Sequence, residues 1–318
     1  MSRELDAPKV ITPTDKERRA GVYLPRNLHR VLGALHQDGL VVLRDVIEKD
    51  HIDSLNTVMS EDAERRLQDP TQAFNHNSKS NFLQRPPLTD AALLYEDVYF
   101  NSFLLQVANA YLGQKPIWNW LTANTAVANT AGIRQPEHKD SAYDHPKCPY
   151  YFIANVPLCD FTVENGATEF WLGSHVNTTV EDQQTAPGDG PYSNKMYKAG
   201  EHIPWIHEDA KRAQRAIRPP IQPEALRGDI MIRDLRTWHA GMPNNSDCHR
   251  IMLGLGYQSP FHPNYKQRLH FPISKQEYLL GQAKNMVEVR ANFYGDDEFE
   301  KSKADTYFDI SPQYGADE

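Results

Sequence analysis

The chain has 318 residues, 40% hydrophobic and 24% charged, which is apolar enough for a sizeable core and argues against general disorder. A formal net charge of −8, with a pI near 5.9 and no local Lys/Arg block, argues against a nucleic-acid partner. No apolar run approaches membrane-spanning length, and the three cysteines (Cys148, Cys159, Cys248) include no CxxC pair, which disfavours both a disulfide framework and a thiolate zinc site.

Residues 1–24 are polar, carry Pro8 and Pro13, and read as a flexible N-terminal arm without the apolar stretch of a secretory signal, so the expected compartment is the cytoplasm. Leu28, Val31, Leu32 and Leu35 then recur at helical spacing, in a helix ended near Asp38-Gly39. Leu40 to Leu43 reads as a strand, and Asp50 as the cap of a second helix carrying Ile52 and Leu55. Residues 69–87 are rich in Asn, Gln, Ser and Pro without periodicity, a long loop of the kind that serves as a lid. Helical patterns return from Ala91 to Leu112.

After Pro116 the texture changes to short β-prone runs: Leu121–Val127, Tyr150–Leu158, Ala167–Leu172, Asp229–Arg233 and Ile251–Tyr257. Asn165-Gly166 signals a tight turn between two of them. Residues 177–215, with Pro187, Gly188, Gly190 and Pro191, interrupt the strands and form a second lid candidate. Residues 295–318 are acidic and read as a loose tail. One domain over 25–294, helices first and an antiparallel β-core after, accounts for the pattern.

The chemistry concentrates in Gln135-Pro136-Glu137-His138-Lys139-Asp140 and in Trp238-His239-Ala240-Gly241, about a hundred residues later. In an extended segment His138 and Asp140 point to one face, and His239 completes a mixed N/O set that suits non-haem Fe(II) with positions left open. Arg250 opens the run Arg250-Ile251-Met252-Leu253-Gly254-Leu255-Gly256-Tyr257, whose period of two puts Met252, Gly254 and Gly256 on its own face. Two glycines on that face suggest vacant space for a ligand beside a buried guanidinium, and a dicarboxylate would fill it. The same three ligands would also suit a Zn(II) hydrolase or isomerase, which leaves Arg250 unexplained, and a non-catalytic small-molecule-binding barrel is a further alternative.

These elements together resemble the phytanoyl-CoA dioxygenase family of Fe(II)/2-oxoglutarate-dependent oxygenases. The likeness is carried by Asp38-Gly39-Leu40-Val41-Val42-Leu43, His138-Lys139-Asp140, Glu164-Asn165-Gly166-Ala167-Thr168-Glu169 running to Gly173-Ser174-His175, Gly228-Asp229, His239-Ala240-Gly241 and Arg250, across about residues 27–260. The wording around Asn165 and Gln135 is most similar to fungal and bacterial members that tailor secondary metabolites.

The resemblance implies a mainly β fold with flanking helices, a double-stranded β-helix or cupin-like jelly-roll barrel. It implies iron on His138, Asp140 and His239, the distal carboxylate of 2-oxoglutarate on Arg250, and help from Thr168 and Gln135 in fixing that co-substrate. It further implies O2 and a small-molecule substrate as partners, oxidation of a C–H bond as the reaction, and allows a homodimer. Asp140 stands where related halogenases carry a small residue, which argues against halogenation, and no peroxisomal signal points to a CoA ester. His175 reads as turn-stabilising, Trp238 as core, and His145, Tyr143, Tyr150, Tyr151, Trp205 and Phe74 as packing or pocket-lining residues with no assigned role.

Overall fold

The computed structural model describes residues 7–75, 79–130, 132–184, 204–266, 269–301 and 310–313. Its fourteen strands, among the described residues, are β1 Lys9–Ile11, β2 Leu40–Leu43, β3 Asn81–Gln84, β4 Ile117–Ala126, β5 Tyr151–Pro157, β6 Glu169–Phe170, β7 Gln183–Gln184, β8 Trp205–Ile206, β9 Ile230–Asp234, β10 His239–Ala240, β11 Arg250–Gln258, β12 Leu269–Pro272, β13 Glu288–Val289 and β14 Ala291–Tyr294. An eight-stranded sheet runs in the order β1-β2-β9-β5-β11-β4-β13, with β3 also paired to β4. A smaller antiparallel sheet is built on β6 and β10 and extended by bridges from His138 to His239 and from Phe170 to Ile221. The two sheets form the expected double-stranded β-helix, mainly β with helices outside.

Alternation along the strands sorts the large sheet into two chemically different faces. Val41, Leu43, Ile230, Ile232, Phe152, Ala154, Val156, Ile251, Leu253, Leu255 and Tyr257 form one continuous buried apolar cluster with the helices. Those helices are α2 Pro25–Asp38, α3 Lys49–Leu67, α4 Glu96–Tyr99 and α5 Ser102–Leu112, preceded by the short α1 Asp15–Ala20, which adds no residue to that cluster. Helix α2 buries Val31, Ala34 and Leu35, and Gly39 ends it at φ 70, a left-handed conformation that glycine adopts without strain. The other face carries Leu40, Val42, Met231, Arg233, Ile153, Asn155, Arg250, Met252, Gly254 and Gly256, as the cross-strand pairing requires. That face looks toward the small sheet, and Leu40, Val42, Met231, Phe161, Ala167, Phe170, Leu172 and Ala225 form a second cluster between them.

Both chain ends depart from expectation. Residues 9–11, placed in a flexible arm, pair in parallel with β2 and bury Ile11, while Thr14 and Glu17 close a capping box on α1. The described parts of the acidic tail, 295–301 and 310–313, are packed as well. Helix α8 (Asp296–Lys301) buries Phe299 in the main core, and Ile310 is 1% exposed among Tyr143, Tyr150, Tyr151 and Leu235. Three apolar anchors, Ile11, Phe299 and Ile310, outweigh the polar composition around them.

Smaller corrections are local. Glu48, not Asp50, precedes the first turn of α3, and Asp50 contributes charge within that turn. Only Glu169–Phe170 of the run Ala167–Leu172 is strand, because Gly173 turns the chain at φ 81. Asn165-Gly166 does form the tight turn, with Gly166 at φ 80 and the Asn165 side chain accepting from the Thr162 N–H at 2.9 Å. The first lid candidate ends in strand β3, which pairs residues 81–84 with β4, and residues 76–78 lie outside the described residues. In the second, β7 pairs with β8 and residues 208–217 form α6 (Glu208–Ile217), while 185–203 lie outside the described residues. A last helix, α7 (Gln276–Ala283), packs Leu279 and Ala283 into the main core.

Candidate active site

His138 and His239 form an antiparallel pair, exchanging backbone bonds of 3.0 and 2.9 Å, so their side chains leave the same side of the small sheet. The pairing continues through Gln135 and Gly241 and through Thr130 and Asn244. The two imidazole centroids lie 4.3 Å apart. Asp140, two residues beyond His138, brings Oδ1 to 3.7 Å from the His138 Nε2 and 3.8 Å from the His239 Nε2. One ligand atom from each residue lies within 4.8 Å of the others. The three residues that sequence spacing singled out therefore converge.

Backbone contacts orient both rings. The Nδ1 of His138 donates to the Pro136 carbonyl at 2.8 Å, and the Nδ1 of His239 donates to the Thr237 carbonyl at 3.1 Å. Each ring thereby turns Nε2 toward Asp140. Burial lowers the pKa of His138, and burial with the nearby Arg233 charge takes His239 well below its ordinary value, so both rings are neutral, as metal ligands must be. Burial alone would raise the Asp140 carboxyl, but the charge of Arg233 and its hydrogen bond hold it well below the usual carboxylate range. Two neutral nitrogens and one carboxylate oxygen around a common point fit a divalent iron.

Arg250 is 2% exposed and lies with its guanidinium 4.7 Å over the Phe161 ring. Its Nε and Nη1 have no hydrogen-bond partner among the described residues, and burial depresses its pKa to about 10. A buried cation with open donors is costly unless an anion meets it, and a carboxylate matches the fork. The residue therefore fits the co-substrate. The glycine face beside it, expected to be vacant, is filled. A Cβ on Gly254 would meet the Trp120 ring at 2.9 Å, and one on Gly256 would meet the Tyr151 hydroxyl at 2.2 Å. These glycines make room for two large aromatic side chains.

Gln135 is buried, and its side-chain oxygen accepts from the Gly241 N–H at 2.9 Å, bracing the backbone just beyond His239. Thr168 is half-buried immediately before β6. His175 fills the space over Gly39, and Trp238 packs on Trp171 at 6.0 Å, in line with structural roles. His145 turns away from the triad to bond the Lys139 ammonium at 3.0 Å. Lys139, between the two ligands in sequence, also donates to Thr178 and Thr179, and burial lowers its pKa to about 7.

One residue of the site escaped the sequence reading. Arg233 in β9 donates to Asp140 Oδ2. Its signal was available, since it shares a strand face with Met231 in the run leading to His239.

A His/Asp/His set on a double-stranded β-helix, with a buried arginine whose Nε and Nη1 lack partners among the described residues, fits the non-haem iron, 2-oxoglutarate-dependent class. Residues 35–252 match the family model described as phytanoyl-CoA dioxygenase. The chain belongs to that family and is an Fe(II)/2-oxoglutarate-dependent enzyme.

Solved structures share the fold. The epimerase SnoN in complex with Fe3+, alpha-ketoglutarate and nogalamycin RO is 19% identical, covers 74% of this chain and 85% of its own, and has a TM-score of 0.51. The carbocyclase SnoK from nogalamycin biosynthesis is 16% identical over 84% of this chain and 93% of its own, with a TM-score of 0.52. EctD from S. alaskensis, with 2-oxoglutarate and 5-hydroxyectoine, is 16% identical over 80% and 83%, with a TM-score of 0.51. No described helix is long and apolar enough to cross a membrane.

Proposed function

We propose that His138, Asp140 and His239 hold the iron, that Arg250 receives the distal carboxylate of 2-oxoglutarate, and that the enzyme oxidises a C–H bond of a secondary metabolite. The observation that carries this reading is the pairing of the convergent triad with Arg250, a buried guanidinium whose Nε and Nη1 lack partners among the described residues. A zinc hydrolase would leave that cation without a purpose. Bound iron, with O2 and 2-oxoglutarate, supplies the oxidising chemistry.

The chain's own residues bind, orient and shield. Pro136 and Thr237 carbonyls fix the imidazoles, and Gln135 steadies Gly241 behind them. Glu137, beside His138, receives Lys211 of α6 at 3.0 Å, so the end of the 177–215 segment is anchored next to the ligands. Thr168 and the Gln135 amide assist the co-substrate in this proposal. Neighbours named as an epimerase and a carbocyclase indicate that one scaffold supports outcomes other than hydroxylation, and the placement of the substrate radical selects among them.

The test is anaerobic addition of Fe(II) and then 2-oxoglutarate to the metal-free protein. A weak visible charge-transfer band, followed by succinate formation on admitting O2, is expected. No band, with tight retention of Zn(II) instead, would overturn the reading.

A further inference from the structure

Arg233 occupies the inner-face register position between Leu40 and Ile153, and its side chain is 7% exposed. Its Nη2 donates to Asp140 Oδ2, while Asp140 Oδ1 faces the Nε2 atoms of both His138 and His239. The two oxygens of one carboxylate are thus divided between a guanidinium and a pair of imidazoles. Carboxylates bind ions through one oxygen or both, so whatever restrains the second oxygen decides the mode.

The backbone under Asp140 is already anchored. Lys139, on the opposite face, reaches His145, Thr178 and Thr179 from behind the ligand segment. What stays adjustable is rotation of the Asp140 carboxylate, and Arg233 is the described side chain that bonds it. The other buried arginine–carboxylate pair of this region, Arg236 with Asp234, engages both oxygens of its carboxylate. Arg233 takes one, and its Nη1 has no partner among the described residues.

We propose that Arg233 is a positioning residue that holds Asp140 so that a single oxygen is presented to the metal, while its charge offsets that of the carboxylate. The proposal rests on the reading of His138, Asp140 and His239 as ligands, and its test separates the two.

The full-length, metal-free chain is titrated anaerobically with Co(II), whose visible spectrum responds to the number of bound oxygens. Arg233→Met should change Co(II) affinity about 10- to 100-fold, the range typical of residues that orient metal ligands, and should change the spectrum as the released oxygen joins. Arg233→Lys keeps the charge without the fork and should fall between Arg233→Met and wild type in affinity, again with an altered spectrum. Wild-type affinity and spectrum in Arg233→Met would overturn the proposal. If that variant does not fold, the same result in Arg233→Lys would do so. Asp140→Ala is the control: its loss of Co(II) supports the ligand set, and wild-type binding would sink that set independently of Arg233.

Discussion

Arg236 and Arg250 lie on either side of His239 in sequence and are equally buried, yet the molecule treats them in opposite ways. Arg236 gives Nε and Nη2 to the two oxygens of Asp234 at 2.8 Å each, and the Tyr111 hydroxyl adds a bond to Oδ2 at 2.9 Å. Burial works against the Arg236 charge, but Asp234 more than offsets it and the pKa rises. Among the described residues Arg250 has no carboxylate partner and its Nε and Nη1 are unbonded, and burial lowers its pKa. A matched buried charge builds the turn that delivers His239 to the site. An unmatched one is costly unless an anion meets it, as the proposed co-substrate would.

The sharpest test removes the shared product of both regions. His239→Ala or His138→Ala should abolish 2-oxoglutarate-dependent succinate formation, a loss beyond the roughly 100-fold typical of supporting residues. Residual turnover within tenfold of wild type would mean that the triad is not the metal site.

Next comes the contrast itself. Arg236→Met leaves Asp234 buried and unpaired, and breaking such a pair costs about 3–5 kcal/mol, readable as a large drop in Tm. Arg250→Met removes a cation with no carboxylate partner among the described residues, so the metal-free protein should melt no lower than wild type. Its KM for 2-oxoglutarate should rise at least about tenfold, as loss of a charge-assisted bidentate contact predicts. Equal melting losses in the two variants would erase the distinction.

A smaller effect is expected at the C-terminal anchor. Ile310 is buried beside the tyrosines, and its carbonyl accepts from the His262 Nε2 at 2.6 Å. Ile310→Ala should therefore cost about 2–5 kcal/mol in denaturant unfolding. An unchanged midpoint would restore the picture of a loose tail.

The smallest effect is a pH dependence. Burial and the adjacent Lys139 charge lower His145 from 6.5 to about 4. Between those values the unfolded chain binds a proton that the folded chain refuses, so stability falls as pH drops through that window. His145→Gln should flatten this part of the Tm–pH curve without moving its neutral plateau, and an unaltered slope would assign the dependence to other histidines.

Much of this site was legible in residue order. Period-two spacing placed His138 with Asp140 and Arg250 on the face opposite Ile251 and Leu253, because alternation in an extended chain is a local property. The same spacing says nothing about what lies across that face. Trp120 and Tyr151 reach Gly254 and Gly256 from neighbouring strands, and the two glycines therefore looked like empty space. Arg233 was passed over for the same reason, since its partner Asp140 lies 93 residues away.

The sequence by itself determined the His/Asp/His set, the succession of helices first and a β-core after, and the likeness to the family. Each of these follows from local periodicity and side-chain chemistry. Only the tertiary structure decided which oxygen of Asp140 meets the imidazoles, what fills the glycine face and where Ile11, Phe299 and Ile310 are buried. Those outcomes depend on cross-strand register and on contacts between distant segments, which compact packing sets and no short window of sequence contains.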